Sequence, residues 1–334
     1  MRGQARLMVR FLVRRLANYV VLLFVAVSFT YFVASYFMDP RSNYLSRHPI
    51  PPKASIDLSL TAANINDEDP LLGRYWRWLT NIVLHWNWGL SPDQDPVGAA
   101  VSGRIGASLQ LVTLATILSI VVGVAIGVFT AIRQYRWQDR VLGGLATFFL
   151  VIPTAVLALF VVLGAIWINK GLGFRLFYVT GLHSYEGSQF GPWLLDFLQH
   201  LVLPTIVLTI ISAVTYHLTQ RTYLLDTMNA DYVRTARAKG LPLNKAIRKH
   251  ALRTSLIPTA VNVAFSIASV FTGAVITESV FAINGLGRYF VTTIQQNDIN
   301  GAVCIAAFAG ACTLAGALLA DVVVAWLDPR VRLS

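Results

Sequence analysis

Residues 231–241 read Asp231-Tyr232-Val233-Arg234-Thr235-Ala236-Arg237-Ala238-Lys239-Gly240-Leu241, and they lie between two apolar runs, 201–220 and 256–276. Asp231 is placed to cap a short helix through 234–238, and Gly240 to stop it in the left-handed conformation. A second helix over 244–252 then leads into the next apolar run. Thr235, Ala236 and Ala238 are small enough for the first helix to lie in a groove. A polar helix hung between two apolar runs is a handle by which a soluble motor domain can move the runs attached to it.

Four more apolar runs flank this segment: 16–37, 105–132, 141–168 and 301–327. With 201–220 and 256–276 they make six. Each gives roughly 30–40 Å of helix at about 1.5 Å per residue, enough to cross a hydrocarbon core of ~30 Å. The fourth is the most polar, with Thr215, His217, Thr219 and Gln220 in its second half. Hydrophobic residues make up 55% of the 334-residue chain and charged residues only 13%, against about a quarter in soluble domains. Mean hydropathy is +0.59. The expected fold is an all-α polytopic membrane protein with six transmembrane helices.

The net charge of +11 fits either a nucleic-acid binder or basic loops on one side of a membrane. With the N-terminus in the cytoplasm, the inside segments are 1–15, 133–140, 221–255 and 328–334. They hold 18 basic and four acidic residues, net +14. The outside segments hold nine basic and eleven acidic residues, net −2, and Asp321 is embedded in the sixth run. Sorting of arginines by alternate loops indicates orientation with both termini cytoplasmic, not a grip on nucleic acid. Eight of the inside cations fall in 221–255. The first run is about 22 residues long and ends Tyr36-Phe37-Met38-Asp39-Pro40, which reads as an uncleaved anchor and not a signal peptide.

Other chemistry finds no support. Six histidines show no ligand spacing, and no Walker A pattern, nucleophile elbow or zinc-protease helix occurs. Cys304 and Cys312 lie eight apart on one predicted helix, about 12 Å along its axis, and cannot pair with each other. The expectation is no cofactor and no metal in this chain.

Segment 38–104 is the largest outside the membrane. It carries an acidic patch, Asp67-Glu68-Asp69, and then four tryptophans and a tyrosine within 75–88. That aromatic density suits a helix at the membrane–water boundary, serving as an interfacial scaffold or as a docking surface for a soluble partner. Gly123 and Gly127 form a small-xxx-small pair for close helix packing, within this subunit or with another. Pro153 and Pro204 each remove a backbone hydrogen bond and can kink a helix along a pathway. Asp321, about 9 Å inside the sixth run, and Glu278, near the outer end of the fifth, are candidate pathway or gate groups.

Residues 231–241 resemble the EAA loop of bacterial ABC-importer permeases. The match is closest to the oligopeptide/dipeptide/nickel family, where the stretch reads as a DYVRTARAKGL string. Arg234 and Thr235 stand where the general loop has Glu and Ala, and Pro258 comes 18 residues after Gly240, as in that family's own variant. Residues 278–287 resemble the family's E-x-V-F-x-x-x-G-L-G string, with Ile283-Asn284 in place of the usual apolar–Pro pair. Leu327-Asp328-Pro329-Arg330-Val331-Arg332 resembles its closing L-D-P-R-x-R, and Arg14-Arg15-Leu16 its N-terminal R-R-L. The long first outside loop resembles the first, B-type permease of the pair; about 40–70 has no counterpart.

The resemblance implies an ABC type I importer permease fold. In it 16–37 is the first span, 38–104 the extracytoplasmic loop and 105–327 a five-helix core with the coupling loop 221–255. It implies a transport subunit in the plasma (inner) membrane of a bacterium, with ATP and Mg on two partner ATPases. The other implied partners are a second permease and an extracytoplasmic solute-binding protein, with membrane lipid around the spans. Asp231, Tyr232, Arg234, Thr235, Ala236, Arg237, Ala238, Lys239, Gly240 and Leu241 would couple to the ATPases. The substrate would be an oligopeptide or dipeptide, or alternatively nickel, glutathione or haem. An ATP-independent channel or carrier, and a membrane-embedded enzyme, are the readings from other classes. The first needs more intramembrane charge than Asp321 supplies, and the second needs polar groups clustered at one depth.

Overall fold

The computed structural model describes residues 2–185, 187, 189–272 and 274–327, with side chains from 13–266 and 274–323 within that set. The segment 328–334 and its closing string lie outside the described residues. In chain order the helices are α1 (Arg2–Phe37), α2 (Ser42–Leu45), α3 (Lys53–Ala62), α4 (Leu71–His85), α5 (Val97–Ile132), α6 (Trp137–Val151) and α7 (Thr154–Leu172). They continue with α8 (Phe190–Met228), α9 (Asp231–Ala238), α10 (Leu243–Ala246), α11 (Leu252–Thr272), α12 (Val275–Val280), α13 (Leu286–Gln295) and α14 (Ile299–Leu327). Among the described residues no strand forms beyond one isolated bridge, Leu90 to Pro96.

Five stretches of helix are long and apolar enough to cross a membrane among the described residues: Val13–Leu45, Val97–Ile132, Thr154–Leu172, Phe190–Met228 and Ile299–Val323. The predicted third span, 141–168, is not one helix. It is split between α6 and α7, because Pro153 has no N–H to donate and its ring pushes the preceding residue out of the helical region. Ile152 accordingly sits at φ −70°, ψ 126°. Pro204, by contrast, lies inside the unbroken α8. The fourth run is much longer than predicted: 39 residues, about 58 Å of helix. Two of its polar side chains are accommodated by burial, His217 and Gln220 at 3% and 0% exposure, whereas Thr215 is exposed and Thr219 half-buried. The predicted fifth span ends early, at Thr272, so Ile276 and Glu278 belong to the separate helix α12.

The chain divides into two compact units. The first comprises Met1–Leu109, Phe271–Ser279 and Ile283–Ala315. In it α2–α4 form a cap whose core joins Tyr31 and Ala34 of α1, Ile56, Leu60, Tyr75 and Trp78 of the cap, and Ile299 and Val303 of α14. Tyr31 packs 4.8 Å from Trp78 and 5.6 Å from Tyr75 between ring centres. The tryptophan-rich helix α4 is therefore core on one face, while Trp76 and Trp86 remain exposed. Arg41 clasps the cap by bonds to Asp57 at 2.6 Å, Asp67 at 2.8 Å and Asn66 at 3.2 Å. The guanidinium holds the Asp67 carboxyl below its usual range.

Asp298 caps α14, accepting the Gly301 N–H at 2.9 Å. Asn300 then donates to the carbonyls of Ala63 and Leu90 at 2.8 and 2.9 Å, and Asn297 Oδ1 accepts the Asp39 N–H at 3.1 Å. Burial pushes the Asp298 carboxyl up to about 6.

The second unit comprises Gln110–Val270, Val280–Ala282 and Gly316–Ser334. Within it α5 and α8 pack at backbone distance. A Cβ on Gly123 would lie 2.6 Å from Tyr216 Cβ, and one on Gly127 2.8 Å from the His217 carbonyl oxygen and 2.9 Å from Gln220 Cβ. The small-xxx-small pair thus serves packing within the subunit. At the same level Thr130 Oγ1 and His217 Nε2 are hydrogen-bonded at 3.1 Å.

Two outcomes follow for purified protein. Gly127→Ala should cost about 1–3 kcal/mol of stability through overpacking. Gly164→Ala, with nothing within 4 Å of the added carbon, should be neutral or stabilising, as thermal unfolding in detergent reports. The Asp298 carboxyl titrates higher folded than unfolded, so its contribution is present below about pH 4 and lost as pH rises through about 6. Asp298→Asn keeps the cap, and its melting temperature should gain on wild type from pH 5 to pH 8; a constant difference would refute the assignment.

Candidate coupling surface and gate

An eight-residue helix has little stability of its own, so what anchors α9 decides what it can do. Val233 and Ala236, three residues apart and on one face, are buried against Ala131 of α5, Leu224 of α8, Ala246 of α10, and Ile247 and Ala251 just after it. Val128, Ile132, Leu225 and Met228 surround the same seat. The remaining α9 side chains, Asp231, Tyr232, Arg234, Thr235, Arg237 and Ala238, are exposed, as is Lys239 after it. Ala236 is therefore an anchor within the subunit, whereas its neighbours form an outward basic face.

The N-terminal cap differs from the expectation. Ala230 holds that position without a side-chain bond, and Asp231 is the first helical residue. Its carboxylate is solvent-exposed and favours the positive end of the helix dipole instead. The contact from Arg234 to Asp231, 3.9 Å long at the surface, adds little. The C-terminal stop is as predicted. Gly240 has φ +91°, its N–H bonds to the Arg237 carbonyl at 2.9 Å, and the Leu241 N–H bonds to the Ala236 carbonyl at 3.2 Å. This paired closure requires a left-handed residue, which glycine adopts without strain.

After the turn the chain does not form a separate helix over 244–252. It runs from α10 through a single π turn, Ile247–Ala251, directly into α11. The Thr227 hydroxyl of α8 donates to the Ala251 carbonyl at 3.3 Å. A cleft of about 550 Å³ lies beside α9, lined by Arg234, Arg237, Gly240, Leu241, Pro242 and Leu243 among others.

Glu278 is fully buried in α12. The Ser108 hydroxyl donates to its Oε1 at 2.7 Å and the Arg288 N–H to its Oε2 at 3.0 Å. Ser108 Oγ also accepts the Leu286 N–H at 2.8 Å. A side chain at Gly285 would collide with the Glu278 carboxylate and with Ser108 Oγ. The Glu and the first Gly of the 278–287 string thus form one device, a carboxylate that folds the Gly285–Arg288 turn around itself. Arg104 lies 4.2 Å over the Tyr289 ring and bonds Asn284 at 3.2 Å, bracing the same turn.

The structure gathers the residues expected to couple, 231–241, on one helix and its closing turn. Glu278 belongs to the other compact unit. Asp321 is half-buried on α14, and Pro153 is exposed where α6 gives way to α7. The sequence reading passed over Val233, whose spacing from Ala236 marks the buried face. It also passed over Ser108, which no local pattern distinguishes.

Comparison with known proteins identifies the family. A family described as "Binding-protein-dependent transport system inner membrane component" matches residues 123–333. The chain is 42% identical over 329 residues to the oligopeptide transport system permease protein OppB of Mycobacterium tuberculosis, covering 98% of this chain and all of that protein. It is 25% identical over 327 residues to OppB of Escherichia coli, covering 97% and 100%. It is 28% identical over 296 residues to the oligopeptide transport system permease protein AppB of Bacillus subtilis, covering 88% of each. With its apolar helices and the match over residues 123–333, the chain belongs to the family of binding-protein-dependent transport system inner membrane components, as a multi-pass membrane transport subunit.

Proposed function

We propose that this subunit forms half of the translocation pathway of an ATP-driven peptide importer, taking oligopeptides or dipeptides. The observation that carries the coupling role is α9 itself: anchored inward by Val233 and Ala236, it offers Tyr232, Arg234, Arg237 and Lys239 outward beside an open cleft. A rigid body that grips this face moves α5 and α8 with it, because the anchor residues pack on both. The names of the three relatives support a peptide substrate.

In this reading six spans cross the plasma membrane of a bacterium, α11 is the fifth of them, and both termini are cytoplasmic. The loop charge asymmetry supports that orientation. Two ATPase subunits hold the ATP and Mg and dock at 231–241. A second permease completes the pore, and an extracytoplasmic binding protein delivers substrate above it. Alternating access between two conformations, each favoured by one nucleotide state, links hydrolysis to transport. Glu278, Pro153 and Asp321 are the residues of this chain assigned to the pathway or its gate.

Purification in mild detergent should recover this chain with two ATPases and a second permease. Recovery without any ATPase, together with full uptake, would refute the proposal. Arg234→Glu with Arg237→Glu alters only exposed side chains and should leave the fold intact while releasing the ATPases. Gly240→Val places a β-branched residue at φ +91° and should abolish uptake with the protein still in the membrane. For the gate, Glu278→Gln keeps the volume but puts a donor NH2 in place of one of the two oxygens that accept from Ser108 and Arg288. It should change uptake more than ATPase recovery; equal loss of both would assign Glu278 to folding alone.

A further inference from the structure

One helical turn before the α9 seat, two consecutive residues of α8 reach in different directions. Gln220 is fully buried. Its Nε2 donates to Ser255 Oγ at 3.0 Å, and its Oε1 accepts from the Thr259 hydroxyl, so both ends of the amide are held by α11. Arg221 turns toward α6. Its Nε and Nη2 bond the two oxygens of Asp139 at 2.8 and 2.9 Å in a bidentate pair. Asp139 is 6% exposed, and its Oδ2 also accepts the Tyr135 N–H at 3.0 Å. The carboxylate thereby fastens the turn between α5 and α6, where Tyr135 has φ +63°.

The same level is where α5 comes nearest to α8. A Cβ on Gly127 would meet Gln220 Cβ at 2.9 Å and the Arg221 nitrogen at 3.2 Å. The two helices are therefore in backbone contact at this level. Leu224, Leu225 and Met228, the next residues along α8, form part of the seat for Val233 and Ala236. Apolar contacts are non-directional and tolerate small shifts, whereas a bidentate ion pair and a fully bonded amide fix orientation. The Asp139 carboxyl is held below its usual range chiefly by the Arg221 guanidinium, in accord with an ionised pair.

We propose that Gln220 and Arg221 are positioning residues forming a transmission node, through which displacement of α9 is passed to α11 and to the α5–α6 turn as one movement. The node rests on the docking role assigned to α9. It predicts a distinct failure: without it, the ATPases still bind and hydrolyse ATP, but the spans no longer follow together.

The test uses the complete transporter, with its ATPases and binding protein, reconstituted in proteoliposomes. ATPase recovery, ATP turnover and peptide taken up per ATP hydrolysed are measured. Asp139→Asn breaks one arm, and Ser255→Ala with Thr259→Val frees the other without altering α8. Each should retain the ATPases and lower uptake per ATP about tenfold. Asp139→Glu, which keeps the carboxylate, should recover part of that ratio. An unchanged ratio in both broken variants would overturn the node. Loss of the ATPases from both, with a normal ratio in whatever complex survives, would likewise overturn it and assign the residues to folding. Absence of ATPases from the wild-type preparation would instead overturn the docking role of α9.

Discussion

The approach of α5 to α8 at Gly123 and Gly127 sets the geometry of the second compact unit. Two helices touching at backbone distance exclude both lipid and water between them. The polar residues that α8 carries on that side must then find partners within the protein or pay a desolvation penalty. They do so one after another: His217 with Thr130, Gln220 with Ser255 and Thr259, Arg221 with Asp139. A larger residue at either glycine would widen the gap and detune each of these bonds at once. The polar second half of the fourth apolar run is thus a consequence of close packing. It also explains how a helix of that composition remains continuous over 39 residues.

The seat of α9 works by a different principle. Two small buried side chains, Val233 and Ala236, and a left-handed closing turn hold it. Small anchors give the helix a flat underside and let it lie close to the ends of α5 and α8. The outward face then stays free to carry charge. The π turn that follows runs on into α11, and its Ala251 carbonyl accepts the Thr227 hydroxyl of α8. Motion applied to α9 therefore meets three helices within a few residues.

Much of this was legible in residue patterns. The apolar runs located α1, α5, α8 and α14, and Gly240 marked the closing turn, because a left-handed residue is needed there. The split of the third run was not foreseen, although Pro153 was singled out, because Pro204 in a similar run is tolerated. Whether a proline breaks or only bends a helix depends on what neighbouring helices can supply to the orphaned carbonyls. The Glu278 device was half visible: the string around 278–287 was recognisable, but Ser108 lies 170 residues away, and tertiary folding alone brings it to the carboxylate. For the same reason Asp139 and Arg221 read as ordinary loop charges, since their pairing spans 82 residues.

The side chain of Asn300 closes the cap by bonds to Ala63 and Leu90, and Asn297 receives the N–H of Asp39, 258 residues earlier. A chain emerging from the ribosome therefore makes nearly all of the cap sequence long before the residues that fasten it exist. Until α14 is in place, the core around α2–α4 lacks Ile299 and Val303, and the carbonyls of Ala63 and Leu90 lack the Asn300 amide. The cap is therefore fastened by a helix made after every other helix in its core.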